Sequence, residues 1–196
     1  MKRQILILSL FMFLIWNNAY TQESTQQKQV QFGLGIGISD IKDITQLFTD
    51  AGIAPQVFLP INISSKFRIE PGIAYFQTSS ERTNYESSSK IFSIGLGIFP
   101  MTPKGAINIY YGARIGFIHA TSSYKSGGSY SSEESGNGFY VAPTIGGEYY
   151  LSNSFTLGGE AQLRYVSYKE KDEDDDEEST STLMGTRTIF FIRVYF

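Results

Sequence analysis

The last fourteen residues of the chain, 183–196, read LMGTRTIFFIRVYF and end on Phe196. Apolar side chains occupy every second position, in the order Phe190, Ile192, Val194, Phe196. The positions between them include two arginines, Arg187 and Arg193. Because successive side chains of a β-strand point to opposite faces, this period of two predicts a long strand. An apolar face, an arginine-bearing opposite face and a terminal aromatic are together typical of a membrane β-barrel.

Seven earlier segments have the same alternation. They are 30–39, 53–63, 67–78, 90–99, 106–119, 138–150 and 155–168. In each segment one face is rich in Ile, Leu, Val and Phe, while the other is rich in Gly, Ser, Ala and Tyr. Their lengths match or slightly exceed the roughly 9–11 residues that a tilted strand needs to cross a bilayer.

The connections between these segments alternate in length. The short ones are 64–66, 100–105 and 152–154, and the long polar ones are 40–52, 79–89, 120–137 and 169–182. Short periplasmic turns and long outer loops are the usual asymmetry of outer-membrane barrels. The sequence therefore predicts an all-β protein, an eight-stranded antiparallel up-and-down transmembrane β-barrel with long extracellular loops.

The face opposite the apolar one decides which side points inward. A soluble barrel would bury its apolar face and expose a strongly charged one. Here the opposite face carries few charges, namely Arg68, Glu70, Arg114, Glu148, Glu160, Arg164, Arg187 and Arg193. Eight strands leave an interior that side chains just fill, and buried charges there have to pair. We expect an ion network that plugs the lumen, with Arg187 and Arg193 reaching Glu70, Glu148 or Glu160. The alternative is a proton or ion pathway.

These features make residues 29–196 resemble the small outer-membrane barrels of the OmpA transmembrane-domain and OmpX type. The resemblance rests on the eight strands, the loop asymmetry and the closing strand. It implies that the barrel-assembly machinery reads the last strand, with Phe196, Val194 and Ile192 as the assembly signal. It also implies an outward face in contact with outer-membrane lipid.

The amino terminus predicts export. Lys2 and Arg3 precede an apolar run over 5–16, and small residues follow it. This is the pattern of a secretory signal peptide, here 1–21, cleaved after Thr21. An anchoring helix is the alternative, but twelve residues extend only about 18 Å, and a bilayer core measures about 30 Å.

Residues 22–28 would then form a short periplasmic segment before the barrel at 29–196, in the bacterial outer membrane. The chain has no cysteine and a formal net charge of −3, which becomes −5 without the leader. The negative charge counts against a nucleic-acid-binding surface. Nothing in the sequence predicts a cofactor.

An acidic run, KEKDEDDDEE at 169–178, holds eight carboxylates and two lysines. Asp172, Asp174 and Asp176 have the spacing of the first ligands of a calcium loop, but Glu177 stands where that loop needs glycine. We interpret the run as a solvated, charge-extended loop. Divalent-cation binding or electrostatic docking is the alternative.

Three functions remain open. The favoured one is a non-enzymatic barrel whose loops 120–137 and 169–182 are available for a surface ligand or for envelope stabilisation. The second is a narrow channel for small or hydrophobic solutes. The third is a lipid-modifying hydrolase built on His119, the only histidine. Its i+2 neighbour is Thr121 rather than serine, and a base without its nucleophile is a weak signal.

Overall fold

The computed structural model describes residues 30–40, 53–82, 85–126, 130–172 and 178–196. These residues form nine strands: β1 (Gln31–Asp40), β2 (Ile53–Phe58), β3 (Ile61–Ser64), β4 (Phe67–Arg82), β5 (Tyr85–Lys104), β6 (Ile107–Ser126), β7 (Tyr130–Ser152), β8 (Phe155–Asp172) and β9 (Glu178–Tyr195). No helix within these ranges has the length and apolar character needed to cross a membrane. The predicted signal peptide and the segment after it lie outside the described residues.

The strands form one closed antiparallel sheet. From β4 onward each strand pairs with the next one in the chain, as far as β9. β1 pairs with β9 from Gly33 opposite Tyr195 to Ser39 opposite Ile189. The other edge of β1 pairs with β2 and β3, which both pair with β4. Every edge in the ring of pairings is therefore used, which confirms the predicted up-and-down barrel architecture.

The ninth strand arises because the predicted strand 53–63 is interrupted. Leu59 and Pro60 lie between β2 and β3, and proline has no N–H to donate to a strand ladder. The sheet continues across the gap through two backbone bonds, from Gly33 N to Pro60 O at 2.8 Å and from Leu59 N to Pro71 O at 2.9 Å. β2 and β3 thus share one of eight strand positions.

The strands also extend further outward than predicted. Segments 79–89, 120–137 and 169–182 were expected as loops, but β4 to β9 run through most of them. Their serine-rich or acidic sequences show no apolar alternation, because both faces are polar there. Backbone pairing continues nonetheless, for example between β4 and β5 as far as Arg82 opposite Tyr85. Residues 41–52 of the predicted loop 40–52 lie outside the described residues.

The inner turn predicted at 100–105 is shorter than expected. β5 continues to Lys104, and a two-residue turn at Gly105 and Ala106 leads into β6. Gly105 has a φ of 60°, a left-handed conformation that glycine adopts without steric cost. The turns at 65–66 and 153–154 agree with the predicted short connections.

Side chains separate into an apolar outer face and a mostly polar inner face. On β7, for example, Ile145 is 59% exposed while its neighbour Thr144 is 5% exposed. Phe190 and Ile192 of β9 are exposed, whereas Phe191 and Arg193 are buried. A soluble barrel has the opposite distribution, with apolar side chains inside and polar ones outside. The observed distribution agrees with an outward face that contacts lipid.

If the outward face contacts lipid, a charged side chain there should destabilise the barrel, most strongly near the middle of the bilayer. Ile145 lies midway along the outward face of β7. Ile145→Arg is expected to lower the free energy of unfolding by about 2–4 kcal/mol in lipid vesicles. Ile145→Leu is the size-matched control and should change it little. Urea titration followed by circular dichroism measures both. Equal midpoints for Ile145→Arg and the wild type would show that this face does not contact lipid.

Candidate functional site

The inner part of the lumen is organised around Glu148 of β7. Its carboxylate contacts two arginines, Arg68 of β4 and Arg193 of β9, the latter from Nη1 to Oε2 at 2.8 Å. Asn108 Nδ2 donates to Oε1 at 3.2 Å, and Tyr195 Oη donates to Oε2 at 3.1 Å. All five residues are buried. One carboxylate therefore holds side chains from three other strands together.

A second group lies further outward and shares Arg193 with the first. Arg193 Nη2 is 2.7 Å from Glu70 Oε2, and Arg114 Nη2 is 2.5 Å from Glu70 Oε1. Arg114 also places Nε 2.7 Å from Glu160 Oε1. Tyr110 Oη donates to Glu160 Oε2 at 2.9 Å. Because Arg193 contacts both groups, the two form one connected network.

We call this set the lumen network; it consists of Arg68, Glu70, Arg114, Glu148, Glu160 and Arg193. All six residues are at most 5% exposed. Three positive and three negative charges make the network electrically neutral. Since breaking a buried ion pair leaves an uncompensated charge, the loss of any one member is costly.

Glycines paired with two of the arginines on the neighbouring strands make room for the network. A Cβ at Gly35 of β1 would lie 2.8 Å from Cγ of Arg193, and a Cβ at Gly97 of β5 would lie 2.9 Å from Nη1 of Arg114. Both distances are shorter than real Cβ contacts allow. The long arginine side chains can therefore cross the barrel only because these positions lack a side chain.

Inward-facing aromatic rings, which were not predicted from the sequence, complete the packing of the lumen. Arg193 Cζ is 3.7 Å from the ring centroid of Phe191, while Arg114 Cζ is 4.8 Å from that of Phe58 and 4.9 Å from that of Phe99. Such stacking stabilises a buried guanidinium. Phe191 has the same strand parity as Arg193, and Phe58 and Phe99 lie on the face opposite the apolar one of their strands. Strand parity was therefore the available signal.

Arg164 and Arg187 do not join the lumen network. Arg187 was expected to reach a glutamate, but its Nη2 donates to Ser39 Oγ at 2.5 Å. Its Nη1 donates to the side-chain oxygen of Gln56 at 2.8 Å, in the amide orientation that turns this oxygen toward the guanidinium. Arg164 stacks on the ring of Tyr140, with Cζ 4.0 Å from the centroid. Within the described residues, the prediction that these two arginines pair with carboxylates is wrong. The strand register places Gln162 opposite Arg187 and Gly185 opposite Arg164, so that neither arginine has a carboxylate as its direct cross-strand neighbour on β8 or β9.

A layer of apolar side chains lies further outward inside the barrel. It consists of Ile91, Ile118, Ala120, Tyr140, Ala142, Val166 and Tyr168. On β8 the order toward the outer end is Glu160, Gln162, Arg164, then Val166. The interior therefore changes from charged to apolar toward the cell exterior, whereas the sequence predicted a polar lumen.

His119 is exposed on the outer face of β6. Its Nδ1 lies 2.9 Å from Asn137 Oδ1, and its Nε2 lies 3.4 Å from Thr121 Oγ1. Within the described ranges, no serine or carboxylate makes a hydrogen bond to its ring. The described contacts thus do not include the nucleophile or the acid that a hydrolase would require.

The acidic run falls largely outside the described residues, which include neither Asp174 nor Asp176 and not the side chain of Asp172. Over the described part of the chain, no group of three or more His, Cys, Asp or Glu side chains is placed to hold a metal ion. Metal binding by the run stays a prediction.

A closed antiparallel barrel with an apolar exterior and buried ion pairs is the architecture of an outer-membrane β-barrel protein. Residues 7–185 match the family described as "Outer membrane protein beta-barrel domain". The chain belongs to this family, which places it in the bacterial outer membrane. The predicted resemblance to small outer-membrane barrels is thereby confirmed.

Solved structures share the fold at low sequence identity. The major outer membrane protein from Thermus thermophilus has a TM-score of 0.58 at 10% identity, covering 86% of this chain and 100% of that one. Neisserial surface protein A has a TM-score of 0.52 at 16% identity, and the match covers 84% of this chain and 94% of that one. Ail, the attachment invasion locus protein of Yersinia pestis, has a TM-score of 0.50 at 12% identity, and the match covers 85% of this chain and 97% of that one. No curated protein matches the chain in sequence.

Two adjacent glycines test how tightly the lumen is packed. A Cβ at Gly146 would meet the ring of Tyr110, whereas a Cβ at Gly147 would have Asn108 O at 3.8 Å as its nearest neighbour. Gly146→Val is expected to lower the free energy of unfolding by about 1–3 kcal/mol through overpacking. Gly147→Val, the matched control, should be tolerated. Urea midpoints in lipid vesicles measure the difference. Equal midpoints for the two variants would show a loosely filled interior.

Proposed function

We propose that this protein is a non-enzymatic outer-membrane barrel whose lumen is plugged by its own side chains. The observation that carries the proposal is the lumen network, in which charged groups from five strands meet inside the barrel. It needs no bound ligand for its own charge balance. We infer a structural role in the envelope combined with surface interaction at the outer end.

The contact distances support a closed lumen. Within the network, Arg114 and Arg193 lie 2.5–2.8 Å from their carboxylate partners, which leaves no space for water between the charges. An eight-stranded barrel has an interior that side chains can fill completely. A channel for small or hydrophobic solutes would require these pairs to separate, and each separated charge would cost several kcal/mol.

A closed barrel can act on its surroundings mainly through its outer surface. β5, β6 and β7 extend into outer hairpins that include much of the predicted loop 120–137. Tyr85 and Tyr124 meet there edge to face, with ring centroids 4.9 Å apart. Tyrosines on a serine-rich background suit adaptable binding. We propose that these hairpins and the predicted loop 169–182 provide the surface for a ligand or for contacts within the envelope.

Export and assembly complete the proposal. Residues 1–21 would direct export and be removed. Phe196 is 78% exposed, and its backbone N–H donates to Phe32 O at 2.9 Å. Its side chain therefore projects from a barrel seam that is already closed. We propose that Phe196, Val194 and Ile192 are read by the barrel-assembly machinery and then face outer-membrane lipid.

Conductance across planar lipid bilayers tests the plug. The wild-type protein is expected to give no steady current. The double variant Arg114→Ser, Glu160→Ser removes one buried pair without leaving a lone charge, and it should open a measurable conductance. Lys125→Ser, Glu133→Ser removes the same two charges from exposed outer positions and serves as the control. Steady current through the wild type that changes in Arg114 or Glu148 charge variants would contradict the proposal.

A further inference from the structure

The inward face carries two positive charges that the lumen network does not balance. Arg164 is 5% exposed, and within the described residues its Nε has no hydrogen-bond partner. Arg187 Nε is likewise buried and without a partner there. Neither side chain contacts a carboxylate in the described part of the chain. Since buried charges in proteins are paired or ligated, these two arginines lack a counter-charge.

The strand register places the two arginines beside the same space. β8 and β9 pair Gln162 with Arg187 and Arg164 with Gly185. Arg164 and Arg187 are therefore diagonal neighbours on one inward face, a relation that sets such positions about 7–8 Å apart. Because both side chains enter the same interior from neighbouring positions, their positive charges repel each other, and a single anion bound to both would replace this repulsion with two attractions.

The surroundings favour an anion over a cation. The other polar groups at Arg187 are the neutral side chains of Ser39 and Gln56. Arg164 rests on Tyr140, which belongs to the apolar layer at the outer end of the lumen. An apolar neighbourhood lowers the local dielectric constant and so strengthens the attraction for an anion. The planar donor forks of arginine match the oxygens of phosphate, sulfate or carboxylate groups.

We propose that a small oxyanion of the phosphate or sulfate class binds inside the lumen between Arg164 and Arg187. The ion supplies the missing counter-charge and joins β8 and β9 to β1 through Arg187 and Ser39. Arg187 is only partly buried, so the ion reaches the site from solution rather than from the lipid. This inference goes beyond the plugged lumen and is independent of it, since the lumen network is neutral without the ion.

Thermal unfolding of the full-length protein in detergent micelles tests the site with inorganic sulfate as the probe. The reference condition replaces sulfate with a bulky sulfonate at equal pH and ionic strength. We expect sulfate at about 100 times its dissociation constant to raise the Tm of the wild type by about 5 °C or more. No difference between sulfate and the sulfonate would overturn the proposal and leave the conductance test of the plug unaffected.

Two variants identify the residues. Gln56→Glu places a carboxylate beside Arg187 in a side chain of nearly the same shape. It should raise the Tm without sulfate and reduce the sulfate-dependent rise to about 1 °C or less. Arg164→Met removes one arm of the site and should abolish the rise as well, which decides the question if Gln56→Glu does not fold.

Lys125→Gln is the charge-matched control, because Lys125 is exposed on an outer hairpin. It should keep the full sulfate effect. Loss of the effect in Lys125→Gln, or its survival in Arg164→Met, would assign the stabilisation to general surface screening and overturn the proposal.

Discussion

Charged side chains inside an eight-stranded barrel must satisfy one another, because the interior is too narrow to hydrate them. This constraint explains the central features of the lumen. Arg193 bridges Glu70 and Glu148, so that one guanidinium joins the two groups of the network. The neighbouring strands carry glycine at the positions paired with Arg193 and Arg114. The network therefore acts as an internal cross-link between strands that already share a closed hydrogen-bonded sheet.

The same constraint shapes the functional conclusion. We propose that a lumen filled by directly paired charges and stacked rings leaves no continuous path for solutes. Activity then has to reside outside the network, at the outer hairpins, on the lipid-facing surface or at local sites such as the unbalanced pair of arginines. Fold similarity to other outer-membrane proteins at 10–16% identity does not choose among these, because barrels of one architecture serve many functions.

Strand parity predicted much of this structure. It assigned the apolar side chains to the exterior and placed all eight inward charges on the inner face, because the period of two is a property of the backbone. Strand ends were predicted poorly. Beyond the bilayer both faces of a strand meet water, so Ser79 and Ser88 pair in the sheet without any apolar alternation to mark them.

Partner choice inside the lumen was not predictable from parity. Which arginine meets which glutamate depends on the stagger between strands, and the sequence alone does not reveal it. Arg187 has the same parity as Arg193, yet it lies opposite Gln162 and contacts Ser39 instead of a glutamate. The break at Pro60 was visible as a proline, but the sequence did not reveal the backbone bonds to Gly33 and Pro71 that continue the sheet across it.

A double-mutant cycle on Arg114 and Glu160 in lipid vesicles tests the central claim most directly. If the lumen network stabilises the barrel, Arg114→Met and Glu160→Leu should each lower the free energy of unfolding by about 3–5 kcal/mol, since each leaves the buried network with one uncompensated charge. The double variant should lose far less than the sum, with a coupling energy of at least about 2 kcal/mol. Losses that add to within about 0.5 kcal/mol would show that the two charges are independent, and would contradict a network that holds the lumen closed.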